Sequence, residues 1–148
     1  MNLSLGEIEL NDITFSKDTS IDKVLASSKF KSYPNSSGTV YIFISKQVLV
    51  DEYTFNVEIY YRNNKIEKIL LTPVNLAMAD PGYSDIKYQL EKKKVADSFV
   101  QSNLGCPQKR NKSTLCYEYD WGSIISKAYL KGRNMYSGGF ICIKYKRT

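Results

Sequence analysis

The chain has 148 residues, 43% of them hydrophobic, and its 21 Lys and Arg against 15 Asp and Glu give a net charge of +6. That length allows one domain with a single core that needs neither metal nor disulfide staples. The sequence contains no histidine, which excludes Ser-His-Asp and Cys-His catalysis and removes the commonest general base and metal ligand.

Cys106, Cys116 and Cys142 form no Cys-x-x-Cys pair, so no metal site and no cofactor is expected, and the thiols read as small, partly buried hydrophobes. Cys116 and Cys142 could still be strand neighbours that pair under oxidation. No apolar run approaches the roughly 20 residues that span a bilayer. Met1 to Glu7 carries no basic start and no apolar signal core, so the cytosol is the expected compartment and no membrane contact is predicted.

Ile8, Leu10, Ile13 and Phe15 predict a short first strand broken near Asn11-Asp12. Thr19 followed three residues later by Asp22 approximates a capping box, and Ile21, Val24, Leu25 and Ser28 fall on one helical face. This helix should end by Tyr33-Pro34, because the residue before proline avoids the α region. Val40 to Val50 is a β-rich run, apolar on both faces at its start, which suits a central strand covered on both sides. Tyr53 to Tyr61 alternates, with Phe55, Val57, Ile59 and Tyr61 on one face and Thr54, Asn56, Glu58 and Tyr60 on the other. Arg62-Asn63-Asn64-Lys65 predicts a hairpin turn, since asparagine tolerates positive φ, and Ile66 to Thr72 is the return strand.

Val74 to Tyr83 reads as an apolar link that packs over the core or forms a contact surface. A second helix is predicted from Ser84-Asp85, with Val95, Ala96, Phe99, Val100 and Leu104 on one arc and Lys94, Asp97, Ser98 and Gln101 opposite. Ile86, Tyr88 and Leu90 also fit an extended stretch; helix is the favoured reading. Gly105 is the predicted C-cap and Pro107 prevents continuation. Leu115 to Tyr129 is one long strand or two joined at Trp121-Gly122, where the glycine suggests a bulge or bend. Lys131 to Gly139 is a glycine-bearing turn, and Phe140 to Tyr145 is a last strand whose flanking lysines would guard a sheet edge.

The two halves follow one programme: a helix, a loop, then Tyr-rich strands. The expected fold is therefore α+β over a single domain, residues 1–148. Two helix-then-strands repeats, about 19–72 and 84–145 around a linker at 73–83, would share one mainly antiparallel sheet with the helices on one face. Thr19 to Leu25, the run from Val57 to Ile66 and the helix stop Leu104-Gly105-Cys106-Pro107 carry a resemblance. In that order they resemble the β-lactamase-inhibitor-protein-like fold, whose single-copy version occurs in small outer-membrane-assembly lipoproteins. The first copy departs from it, with Lys29 to Pro34 in place of a Leu-Gly-x-Pro stop. The resemblance implies a sheet surface that binds other proteins.

Of the 12 tyrosines, Tyr60, Tyr117 and Tyr119 are the contact candidates on strands, and Lys109, Arg110 and Lys112 supply a basic loop beside them. Lys92-Lys93-Lys94 and Lys144-Tyr145-Lys146-Arg147 add basic density, read as solvated faces or as phosphate contacts interleaved with rings. Glu118 and Asp120 share a strand face and form a carboxylate pair, which is more often a solvated feature than an acid-base couple. The expected function is a non-enzymatic module that binds another protein, such as an inhibitor or immunity-type protein. Weak nucleic-acid binding is the alternative, and a histidine-free enzyme using Asp, Glu or Cys is the third reading.

Overall fold

The computed structural model describes residues 1–74, 86–111, 113–129 and 138–147. A 3-10 turn, Leu3–Leu5, precedes a small hairpin of β1 (Ile8–Leu10) and β2 (Ile13–Phe15). Asn11 and Asp12 turn it at φ 51° and 69°, the left-handed pair that matches strand twist. Helix α1 (Ile21–Leu25) follows, then β3 (Lys31–Pro34), β4 (Val40–Val50), β5 (Tyr53–Arg62) and β6 (Lys65–Pro73). Helix α2 (Ile86–Leu104) leads into β7 (Lys109–Arg110), β8 (Thr114–Tyr119), β9 (Gly122–Tyr129) and β10 (Gly138–Tyr145).

Strands β3 to β10 form one eight-stranded antiparallel sheet in the order β3-β4-β5-β6-β10-β9-β8-β7. Each half of the chain thus supplies a helix and a four-strand meander, and the two meanders meet through their last strands. The architecture is α+β with sheet predominating.

Period-two alternation decides which side chains enter the core. One register row runs Phe43, Ile59, Ile69, Ile143, Ile124, Tyr117 across six strands. None of these residues is more than 2% exposed. Each large apolar side chain so placed contributes about 1.5–3 kcal/mol relative to exposure. Helix α2 lies against β10, β9 and β6 and adds Ala96, Phe99 and Val100 to the same cluster, with Phe99 edge-on to Phe55 at 5.1 Å. Its seat is Gly139, where a Cβ would fall 2.3 Å from the Lys93 backbone nitrogen.

Several expectations are corrected. The cap of α1 is Ser20, whose hydroxyl accepts from the Asp22 amide at 3.2 Å. The Thr19 hydroxyl instead bonds the backbone of Ser16 and Thr14, tying the helix to β2. The helix stops at Leu25, and Ser28 is exposed. Lys31–Pro34 is an edge strand because Phe30, edge-on to Phe15 at 5.9 Å, redirects the chain onto the sheet. Strand β10 is central, so edge protection falls to the short strands β3, carrying Pro34, and β7. Of the two readings of Leu115 to Tyr129, two strands is the one found, with the junction at Asp120-Trp121, one residue earlier than expected. Cys116 and Cys142 are not neighbours, for both face Ile125 from opposite sides. Two strand spacings separate them by about 9.5 Å, beyond the roughly 7 Å a disulfide tolerates.

Lys93 is not part of a solvated face. It is 8% exposed and ion-paired with Asp97, which also accepts a 2.7 Å hydrogen bond from the buried Ser126 hydroxyl. The predicted link 75–83, the helix start at Ser84-Asp85 and most of the Lys131–Gly139 turn lie outside the described residues.

Candidate functional site

The side of the sheet opposite the core row presents the most distinctive surface. One register row there runs Lys31, Ile44, Glu58, Leu70, Cys142, Ile125, Cys116, Lys109 across all eight strands. The neighbouring row runs Tyr33, Ile42, Tyr60, Lys68, Lys144, Ser123, Glu118. Not one of these residues is fully buried; each is half-buried or exposed. Antiparallel sheets tolerate a wet second face, but such a face is ordinarily polar. Here Ile42, Ile44, Leu70 and Ile125 occupy its middle, flanked by lysines.

Local chemistry fixes the polar members. The Lys68 ammonium sits 4.7 Å from the Tyr60 ring centroid, and the Tyr60 hydroxyl is 3.5 Å from Glu58 Oε2. Such an ammonium-ring contact contributes about 0.5–1 kcal/mol at an exposed site. Lys31 covers the Tyr33 ring in the same manner at 5.4 Å. Burial pushes the Cys142 thiol above its usual range, against the pull of Lys68, Lys144 and Lys127. Burial also raises Cys116, helped by Glu118 and opposed by Lys109.

At the Tyr60 and Lys144 end, the sheet meets an open groove of about 540 Å³ that Glu67, Glu118, Ser123 and Lys144 help to line. Glu67 is partly desolvated, which opposes ionisation, yet the hydrogen bond from Arg147 and the fields of Arg62, Arg147 and Lys68 hold its carboxyl below the usual range. Arg147 reaches it at 2.9 Å and Arg62 at 3.7 Å.

The structure distributes the predicted contact residues unevenly. Tyr60 is on the open face and Lys109 ends one of its rows, exposed and 3.3 Å from Glu118. Arg110 is exposed on the edge strand β7. Tyr117 is corrected to a core residue, 2% exposed, with its hydroxyl donating to the Gly105 carbonyl at 2.7 Å. Tyr119 lies on the core side and stacks on Trp121 at 5.4 Å. Lys112 lies outside the described residues. Asp120 is exposed in the β8–β9 turn, whereas Glu118 is exposed on strand β8 at the end of a row of the open face. Among the described residues no cluster of three or more Cys, Asp or Glu could hold a metal ion.

The residues missed by the sequence reading are Ile42, Ile44, Leu70 and Ile125. The signal was present: Val40 to Ile44 is apolar at every position. The run reads as a strand covered on both sides, whereas Ile42 and Ile44 on the second face of β4 are only half-buried. No known protein family matches this chain, and neither characterised proteins nor solved structures give a significant match. Among the described residues no helix is long and apolar enough to cross a membrane.

Proposed function

We propose that this chain is a non-enzymatic protein-binding module that presents the open sheet face to a protein partner, in the manner of an inhibitor or immunity-type protein. One observation carries it: Ile42, Ile44, Leu70, Ile125 and Tyr60 stand together on a broad sheet surface without being buried. Binding sites on rigid sheets lose little entropy on association, and apolar anchors ringed by charge are the composition of an interface core and rim.

The element order supports a duplicated origin. Each meander follows a helix, and Phe43, Ile59 and Ile69 of the first occupy the places of Tyr117, Ile124 and Ile143 in the second. Both helices place apolar residues in one shared cluster, which fits helices backing a common face. This is also the arrangement expected from a β-lactamase-inhibitor-protein-like relationship, and the cytosol remains the proposed compartment.

Nucleic acid is a weaker reading because the rings beside the basic runs are engaged. Tyr145, within Lys144-Tyr145-Lys146-Arg147, is 3% exposed and donates to the Gly6 carbonyl at 3.0 Å, so it offers no stacking platform. A general-acid carboxyl would be raised toward neutrality, and Glu67 moves the other way, so it does not support that role.

The test is affinity capture from native lysate with the wild-type chain and with an Ile44→Asp/Leu70→Asp variant of unchanged denaturation midpoint. A stoichiometric protein retained by wild type and lost by the variant is expected. The same protein retained equally by both, or no protein retained by wild type, would overturn the proposal.

A further inference from the structure

Two grooves meet at the end of the sheet where β5 turns into β6 and β10 ends. The larger, about 540 Å³, continues the open face through Ser123 and Lys144. The smaller, about 260 Å³, runs under the Arg62-to-Lys65 turn, and the two share Glu67, Lys146 and Arg147. Six cations line the pair: Lys17, Arg62, Lys65, Lys144, Lys146 and Arg147. Three carboxylates accompany them, Asp18, Glu67 and Glu118, so the local excess is 6 − 3 = +3, half of the chain's net +6 in one small region.

The carboxylates do not use up these cations. Glu67 engages Arg62 and Arg147, and Glu118 engages Lys109 from outside the grooves. Lys17, Lys65, Lys144 and Lys146 form no ion pair among the described residues. Such a groove focuses a positive field and raises the local concentration of anionic groups.

We infer that this double groove receives a carboxylate-rich segment of the partner, whose adjoining apolar side chains lie along Ile42, Tyr60 and Leu70. The inference rests on the open face being the binding surface. An acidic peptide fits better than a nucleic acid strand for two reasons. The three resident carboxylates punctuate the groove and oppose a continuous polyanion, but discrete Asp and Glu side chains can settle between them. The two rings that line the groove are already packed, Tyr119 on Trp121 and Tyr145 against Trp121 at 5.6 Å, and offer bases little to stack on.

The experiment uses the full chain and three fluorescein-labelled probes read by anisotropy at low ionic strength. They are a glutamate-rich peptide with a central phenylalanine, its lysine-rich counterpart and a short oligothymidylate. Lys144→Glu/Lys146→Glu is compared with Lys23→Glu/Lys46→Glu, which changes net charge equally at exposed sites outside both grooves. Denaturation midpoints certify that both variants are folded. The expected result is binding of the glutamate peptide by wild type, weakened at least tenfold by the groove pair and less than threefold by the control pair, with no binding of the lysine peptide. Equal loss in both variants would reduce the effect to net charge and overturn the inference, as would the absence of glutamate-peptide binding. Tighter binding of oligothymidylate than of the glutamate peptide would overturn it in favour of nucleic acid. Lysate capture that depends on Ile44 and Leu70 but not on Lys144 and Lys146 would remove this inference and leave the protein-binding proposal standing.

Discussion

Replacing Gly6 with alanine tests how the amino-terminal turn is locked to the sheet. Gly6 has φ 76° and ψ 20°, a left-handed conformation in which a Cβ is strained by about 1–2 kcal/mol. The new Cβ would also fall 2.7 Å from Trp121 Cδ2, over the face of the indole. The ring cannot retreat freely. It stacks on Tyr119, tilts against Tyr145, and its Nε1 donates to the Ser4 carbonyl at 2.9 Å. Overpacking of this kind costs about 1–3 kcal/mol, so Gly6→Ala should lose about 2–5 kcal/mol in all, out of a total near 7–20 kcal/mol for a chain of this size. Urea denaturation followed by far-UV circular dichroism measures the loss. Trp121 is the chain's single tryptophan, so its emission reports the clamp directly. In a Trp121→Leu background the ring clash disappears, and Gly6→Ala should then cost only the backbone part, about 1–2 kcal/mol. An identical cost in both backgrounds would refute the clash and leave backbone strain as the whole effect.

Alkaline stability should depend on Tyr61 and Tyr145. Burial pushes both phenols well above the ordinary value near 10, and Tyr61 raises Tyr145 further. A raised folded-state value means stability fully present below pH 10 and lost as pH climbs above it, at about 1.4 kcal/mol per pH unit for each phenol; Tyr145→Phe should flatten that slope by one phenol's share in urea titrations between pH 9 and 11. Thiol chemistry should single out Cys106, which is exposed, over Cys116 and Cys142, whose thiols burial raises. Ellman's reagent should therefore modify Cys106 first, and diamide should yield no internal Cys116–Cys142 crosslink by peptide mapping.

The parts legible in the sequence are those governed by neighbours along the chain. The alternation of Phe55, Val57, Ile59 and Tyr61 and the Asn63-Asn64 turn are local, and both stand as read, with φ 51° and 63° at the asparagines. The arc of Ala96, Phe99 and Val100 is a local period and is buried. What was not legible depends on contacts distant in sequence. Nothing near Tyr117 tells whether its ring faces the core or solvent; the register of β8 on β9 decides it, by setting Tyr117 opposite Ile124. Lys93 looks like one of three solvated lysines until β9 brings Ser126 beside Asp97. The apolar row of the open face is spread over separate strands, with Ile44, Leu70 and Ile125 brought together only by the pairing through β5 and β10.

On the proposed reading, the open face requires its partner to be acidic and apolar at once. Tyr60 is the central aromatic of its row, and the Lys68 ammonium lies over its ring. An apolar side chain cannot settle on Tyr60 without moving that ammonium or desolvating it. Desolvating an ammonium that forms no ion pair among the described residues costs several kcal/mol, more than one apolar contact returns. A carboxylate arriving with the apolar side chain removes the conflict, because Lys68 can swing to it while the ring is covered. Lys144, directly across the β6–β10 seam from Lys68, meets the same requirement beside the groove. On the proposed reading, the lysines of this face would therefore select against purely apolar partners and for those that bring their own negative charge, a specificity built from a penalty as much as from an attraction.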